Sequence, residues 1–153
     1  MKPFLASSFF RTSAIFVIAI FAVTAAAAQD SPQSSVASKT AKFQDVAKTD
    51  ALYTGALDAH NKSGAEKLIG KAGSFKGTVS KAFTPRNGGL VILNFDDDYK
   101  SAMTAVLKKS DFAKFPDLSE LVGKEVVVSG KFMDFKGSPE IELSDPKQVA
   151  LVK

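Results

Sequence analysis

The sequence predicts a mainly β domain that follows an N-terminal extension. A chain of 153 residues is the size of one domain, and a hydrophobic share of 45% with a charged share of 24% is typical of globular proteins. From Gly73 onward, short segments alternate apolar and polar residues, and turn-forming residues separate them. These observations together predict a β-rich core in the second part of the chain.

The cysteine and histidine content excludes several classes of function. Without cysteine the chain has no disulfide framework, no thiolate metal site, no cysteine nucleophile and no lipid-modified cysteine anchor. His60 is the only histidine, which leaves little for zinc or triad chemistry. We therefore expect a protein that uses no cofactor and is not an enzyme.

Residues 1–28 have the pattern of a secretory signal peptide. Lys2 and Arg11 supply positive charge, residues 14–23 are apolar, and Ala26, Ala27 and Ala28 provide small residues before Gln29. We expect cleavage before Gln29, export to the periplasm or the medium, and no stable membrane insertion afterwards. The alternative is an uncleaved anchor, although the apolar run is shorter than the roughly 20 residues that cross a bilayer. Removal of the segment leaves 18 Lys and Arg against 16 Asp and Glu, so the net charge falls from +4 to +2.

Residues 29–63 are predicted to be a leader outside the main domain. Residues 29–42 are rich in Ser, Ala, Gln and Thr and lack a hydrophobic period, which predicts a flexible segment in which substitution of Gln33 is without effect. Helical spacing from Phe43 to Leu57 predicts one or two short helices. The main domain is therefore assigned to residues 64–153.

Three strands are predicted in the first half of that domain. The first covers residues 74–83, with Phe75, Val79 and Phe83 facing inward and Gly77 at a bend. The loop at 85–89 contains Pro, Asn and Gly and predicts a hairpin to the second strand. The second and third strands are assigned to residues 90–95 and 102–107.

A helical connection and two more strands complete the predicted domain. Residues 110–122 carry a helical stripe that Pro116 interrupts. The fourth strand covers residues 124–135, and its alternation places Val126, Val128, Gly130 and Phe132 inward and Val127 outward. Residues 140–143 form the fifth strand, and an apolar segment at 149–152 closes one end of the core.

This order of elements predicts a five-stranded Greek-key OB barrel with a short helical connection between strands 3 and 4, preceded by a partly disordered or helical N-terminal extension. Glycines within strands one and four supply the curvature that closure of a barrel requires. The alternative is an open α+β sheet covered by the helical segment.

Several segments resemble bacterial OB-fold modules of the nucleic-acid-binding, anticodon-binding-like type. The segments are residues 123–131, 135–143 and 145–149, together with 93–95 and 104–106. The resemblance extends from about Gly64 to Val152 and rests on turn glycines, a proline before the fifth strand and core positions. One departure is Phe135, which stands where the family usually has tyrosine and keeps the stacking face without the hydroxyl.

OB folds bind oligonucleotides or oligosaccharides through the outer face of strands two and three and the neighbouring loops. Lysine and arginine neutralise phosphates there, and Tyr99 or Phe135 can stack on bases. The alternative is that these residues belong to an ordinary solvated surface. The candidate nucleic-acid-binding residues are Lys81, Arg86, Asn87, Asn94, Lys100, Lys131 and Lys136.

Two other patterns are weaker candidates for chemistry. The acidic triplet at residues 96–98 suggests a cation site, but adjacent carboxylates rarely converge on one ion and the spacing is not that of an EF-hand, so we expect a solvated turn. A nuclease needs convergent acids and arginines, whereas Arg86 is the only arginine after the signal segment. His60 is expected in an exposed polar loop, and we assign no catalytic or metal-binding residue.

The sequence thus predicts an exported, non-catalytic OB-fold protein that binds single-stranded nucleic acid through strands 2–3 and the flanking loops. The alternative is an envelope protein that binds a protein partner or an oligosaccharide through the same face.

Overall fold

A computed structural model describes residues 32–153, and the predicted signal peptide lies outside the described residues. The fold is mainly β, with nine strands in one curled sheet and a few short helices. In that part of the chain, no helix is both long enough and apolar enough to cross a membrane. The strands are β1 (Gln44–Val46), β2 (Leu57–Asp58), β3 (Ala72–Thr78), β4 (Lys81–Phe83), β5 (Leu90–Asn94), β6 (Thr104–Lys108), β7 (Glu125–Phe135), β8 (Ser138–Leu143) and β9 (Val149–Val152). The α-helices are α1 (Ala51–Thr54) and α2 (Lys62–Glu66), and the 3-10 helices are Lys109–Lys114, Leu118–Leu121 and Pro146–Gln148.

The strand pairings follow a curved path around the core. Antiparallel pairs join β4 to β5 and β5 to β6, a parallel pair joins β6 to β8, and antiparallel pairs join β8 to β7 and β7 to β3. Only Val79 and Ser80 separate β3 from β4, so the path returns close to its starting point. The 3-10 helices at Lys109–Lys114 and Leu118–Leu121 connect β6 to β7, where the sequence predicts a helical segment.

Glycine allows two close approaches inside this curved sheet. A Cβ built on Gly130 of β7 would lie 2.7 Å from both Gln148 Nε2 and Ile141 Cγ2. A Cβ on Gly77 would lie 2.9 Å from the Cβ of Ala59. The backbone thus comes nearer to its neighbours at these glycines than any side chain permits.

The main core is enclosed by the sheet, and phenylalanines fill much of it. Phe75 meets Phe95 edge to face at 5.0 Å between ring centroids and lies 6.3 Å from Phe132. The predicted inward residues Val79, Val126 and Val128 also lie in this core. The helical connection contributes buried side chains from Phe112, Phe115, Leu118 and Leu121.

The prediction that Phe83 faces the core is wrong, because 42% of this residue is exposed. Phe75 and Val79 face the core from odd-numbered positions, but Ala82 is the residue of β4 that packs against it. The break between β3 and β4 therefore shifts the alternation by one residue, which moves Phe83 to the outside.

The predicted unpacked leader is also corrected, because its described part packs against the sheet. β1 pairs in parallel with β9, and β2 pairs in parallel with β3. Tyr53 and Val152 pack against a second small core on the outside of β7. Val127, which the alternation predicts to face outward, is instead fully buried in this second core. The remaining buried members are Val46, Ala56 and Ala150.

The segment before β1 is anchored by a buried glutamine. Gln33 is fully buried, its Nε2 donates to the carbonyl of Pro116 at 2.9 Å, and its Oε1 accepts from the amide of Leu118 at 3.1 Å. The amide of Ser38 donates to the carbonyl of Phe115 at 2.8 Å. Residues 33–38 therefore lie against the helical connection, because a polar side chain in this segment satisfies backbone groups that the connection leaves free.

Candidate nucleic-acid interface

One face of the curled sheet points away from the main core and is called here the outer face. It is formed by alternate residues of β4, β5, β6 and β8 and by the second half of β7, since directly paired residues share a face. Its first row of paired residues, the polar row, is Lys81, Asn94, Thr104, Glu140 and Met133. The second row of paired residues is Phe83, Ile92, Val106 and Glu142, which is apolar except for the glutamate. Four steps between neighbouring strands make the polar row about 19 Å long.

Exposed aromatic rings accompany this face, and a lysine lies over each of them. Phe83, Tyr99 and Phe135 are 42%, 60% and 54% exposed, respectively. Lys81 Nζ is 5.8 Å from the centroid of Phe83, Lys100 Nζ is 5.8 Å from that of Tyr99, and Lys136 Nζ is 5.3 Å from that of Phe135. Each pair presents a flat apolar surface beside a positive charge.

Two of these aromatic–lysine pairs lie at the same end of the outer face. Lys62 Nζ donates to the carbonyl of Lys100 at 2.8 Å and to Ser138 Oγ at 3.0 Å. Ser138 is the register partner of Phe135. The ammonium group of Lys62 thus ties the loop that carries Tyr99 to the turn that follows Phe135.

The turn between β7 and β8 holds Phe135 and Lys136 in a defined orientation. Lys136 has φ 53° and Gly137 has φ 81°, so both central residues adopt the left-handed conformation that suits a tight hairpin. The amide of Gly137 also donates to Asp134 Oδ1 at 3.0 Å. A fixed turn limits the freedom of the exposed ring that precedes it.

The structure does not bring all the predicted site residues together. Lys81 and Asn94 are register partners in the polar row. Lys100 and Lys136 lie at the end of the face where the loop between β5 and β6 meets the turn between β7 and β8. Lys131 is exposed on β7, two residues before Met133.

Arg86 and Asn87 occupy the loop between β4 and β5, at the other end of the face. Asn87 Oδ1 accepts from the amide of Gly89 at 3.2 Å, so its side chain also supports that loop.

The outer face also carries acidic residues that are not among the residues predicted from the sequence. Glu142 Oε2 forms an ion pair with Lys108 Nζ at 2.8 Å. Glu140 is half-buried, and burial, followed by repulsion from Glu142, raises the pKa of its carboxyl above the ordinary value. The alternation of Ser138, Glu140 and Glu142 with buried apolar residues was the available signal for these positions.

The acidic triplet forms a hydrogen-bonded turn. Asp96 Oδ1 accepts from the amide of Asp98 at 2.9 Å, and Asp98 Oδ2 accepts from the hydroxyl of Ser101 at 3.0 Å. The hydroxyl of Ser80 donates to Asp97. Among residues 32–153, no group of three or more metal-ligating side chains is arranged to hold an ion.

His60 lies between two carboxylates and connects the N-terminal part of the chain to this turn. Its Nδ1 is 3.0 Å from Asp58 Oδ1, and its Nε2 is 3.0 Å from Asp96 Oδ2. These hydrogen bonds, with Asp96 contributing more than Asp58, raise the pKa of His60 above its ordinary 6.5. The side chain is exposed, as predicted for a polar loop, and its contacts give it a linking role.

No family model matches the chain, and no curated protein matches it. A solved structure to which the chain is similar is an aspartyl tRNA synthetase from Entamoeba histolytica, with 11% identity and a TM-score of 0.49. The match covers 75% of this chain and 26% of the synthetase chain. The chain therefore spans about a quarter of the length of that protein.

Proposed function

We propose that the curled sheet is an OB-type barrel. Support comes from the order in which its strands pair, with β3 and β4 acting together as the first barrel strand and β5, β6, β7 and β8 as the others. The parallel pairing of β6 with β8 and the helical connection between β6 and β7 also support this assignment.

We further propose that the protein binds single-stranded nucleic acid through the outer face, without catalysis. The observation that carries this proposal is the set of aromatic–lysine pairs formed by Phe83, Tyr99 and Phe135. Proteins that bind single strands combine positive charge along the backbone with aromatic rings on which bases stack. Stacking on each ring contributes about 1 to 3 kcal/mol and tolerates any base.

The charges of the outer face suggest a modest affinity. Lys81, Lys100 and Lys136 form no ion pair with any residue of the described chain, so their ammonium groups are available to phosphates. Three such contacts predict a slope of about −2 for log affinity against log salt concentration, from about −0.7 per contact on single strands. Glu140 and Glu142 oppose phosphate binding at the centre, so we place the phosphates along the edge of the face.

We also propose that the protein is exported. The support is the charged, apolar and small-residue pattern of residues 1–28, which is typical of a cleaved signal. Export is independent of the ligand, and the intact mass of the exported protein tests it.

The proposed binding is tested by fluorescence anisotropy with a labelled 12-nucleotide single strand between 25 and 200 mM salt. We expect the double variant Lys100→Gln, Lys136→Gln to flatten the salt slope by about 1.4 units. The matched control is Lys39→Gln, Lys42→Gln, which removes the same charge from the segment before β1 and is expected to leave the slope unchanged.

Two results would contradict nucleic-acid binding. One is the absence of detectable binding at 25 mM salt, and the other is binding that does not depend on salt. Either result would favour the alternative ligands, an oligosaccharide or a protein partner, because the hydroxyl, amide and carboxylate groups of the polar row can hydrogen-bond to sugars or peptides without neutralising charge.

A further inference from the structure

Glu140 occupies a central place in the proposed binding site. Its register partners on the two neighbouring strands are Thr104 of β6 and Met133 of β7, both on the outer face. Phe135 is two residues beyond Met133 on the same strand and face, which makes it the diagonal neighbour of Glu140. Diagonal neighbours are about 7 to 8 Å apart, within reach of a long side chain and a ring.

The carboxylate of Glu140 has no partner in the described part of the protein. No hydrogen bond or ion pair joins it to another side chain there, whereas Glu142, two residues along the same strand, is held by Lys108 at 2.8 Å. Nevertheless Glu140 is only partly exposed. The other charged groups near it are Glu142, Asp134 and Lys108.

An unpaired carboxylate beside a stacking ring can form hydrogen bonds with some bases and not with others. It accepts hydrogen bonds and donates none when ionised, so it pairs with the amino group of cytosine and faces repulsion from the carbonyl oxygen at the corresponding position of uracil. Single-stranded bases expose these edges to the protein. The lysines at the edge of the face are placed to contact the phosphates.

We propose that Glu140 determines base specificity by accepting a hydrogen bond from the exocyclic amino group of a base that is stacked on Phe135. This inference rests on the proposed function and predicts that cytosine is bound more tightly than uracil at this position.

The test compares 12-nucleotide strands of deoxycytidine and deoxyuridine, which differ in the group at position 4 of the base. Affinities of the purified protein are measured by fluorescence anisotropy at pH 7.5 and 50 mM salt. We expect about tenfold tighter binding of the deoxycytidine strand, the usual size of one good base contact. Glu140→Gln should reduce the ratio to less than about twofold, because an amide can also donate to a carbonyl oxygen.

Glu142→Gln is the matched control, since it removes the same charge from the same strand and face. It should leave the tenfold ratio unchanged, although it can raise both affinities by removing repulsion of phosphates. Thermal melts show whether each variant folds, and the ratio measured for the unmodified protein tests the inference without any variant.

The possible failures are distinguishable. Equal, salt-dependent binding of the two strands would overturn the role of Glu140 and leave the proposed function standing. An equal loss of preference in Glu140→Gln and Glu142→Gln would overturn it too, because charge alone would then explain the preference. No binding of either strand would overturn the proposed function itself.

Discussion

The substitution Gln33→Ala tests whether the segment before β1 belongs to the folded domain. In the structure the side chain is fully buried and satisfies the carbonyl of Pro116 and the amide of Leu118. The substitution leaves both backbone groups buried without a partner, and each such group costs about 1 to 3 kcal/mol. Some relaxation and entry of water reduce this cost, so we expect a loss of about 2 to 4 kcal/mol in the free energy of unfolding.

The assay is urea denaturation followed by circular dichroism, with linear extrapolation to water. The midpoint should fall with an unchanged m-value, and Tm should fall by roughly 10 °C for a domain of this size. The matched control is Gln44→Ala, because Gln44 is an exposed glutamine of β1 and should give a change within about 0.5 kcal/mol.

Hydrogen exchange separates local detachment of the segment from global unfolding. The amide of Leu118 should be protected in the unmodified protein and should exchange faster in Gln33→Ala. Equal urea midpoints for Gln33→Ala and Gln44→Ala, with no change in exchange at Leu118, would refute the reasoning. The segment before β1 would then be an unpacked leader.

Three further predictions concern the core, the histidine and the N-terminus. Gly130→Ala should destabilise the protein by about 1 to 3 kcal/mol, since its Cβ would meet Gln148 Nε2 at 2.7 Å. The control Gly89→Ala meets only ordinary van der Waals contacts and should leave the free energy of unfolding nearly unchanged. Similar urea midpoints for the two variants would contradict this prediction. Because the pKa of His60 is raised in the folded state, its stabilising effect is complete below about pH 6.5 and is lost as pH rises through the higher folded value. The unmodified protein should therefore lose more stability than His60→Gln between pH 6 and pH 8.5, and an NMR titration midpoint at or below 6.5 would count against the ion pairs. The intact mass of the exported protein should correspond to a chain that begins at Gln29. A mature protein that retains residues 14–23 would show that this segment is an uncleaved anchor.

Local patterns in the sequence were sufficient to predict much of the sheet. Alternation in residues 124–135 identified β7 and the inward positions of Val126, Val128 and Phe132, because side chains on a strand alternate between two environments. The turn residues at 85–89 and 136–137 marked the ends of neighbouring strands, since Gly88 and Gly137 adopt positive φ angles that most other residues avoid. These features depend on a few neighbouring residues and are therefore readable from the chain.

The structure of the N-terminal segments could not be predicted from local patterns, because contacts between distant residues determine it. β1 and β2 are only three and two residues long, and each gains its structure by pairing with β9 or β3. Their own composition lacks a period that predicts a strand. Gln33 looks like a flexible polar residue in the sequence, and only the backbone of residues 116 and 118 makes its burial favourable.

The candidate site likewise has residues that the sequence predicts and residues that only the tertiary structure brings together. Residue types and the order of strands indicated Lys81, Asn94, Lys100 and Lys136 as surface groups near one face. The pairing register decided which side chains share that face, and the one-residue shift between β3 and β4 added Phe83 to it. The register also placed Glu140 beside Thr104 and Met133, because residues far apart in the chain become neighbours only when their strands pair.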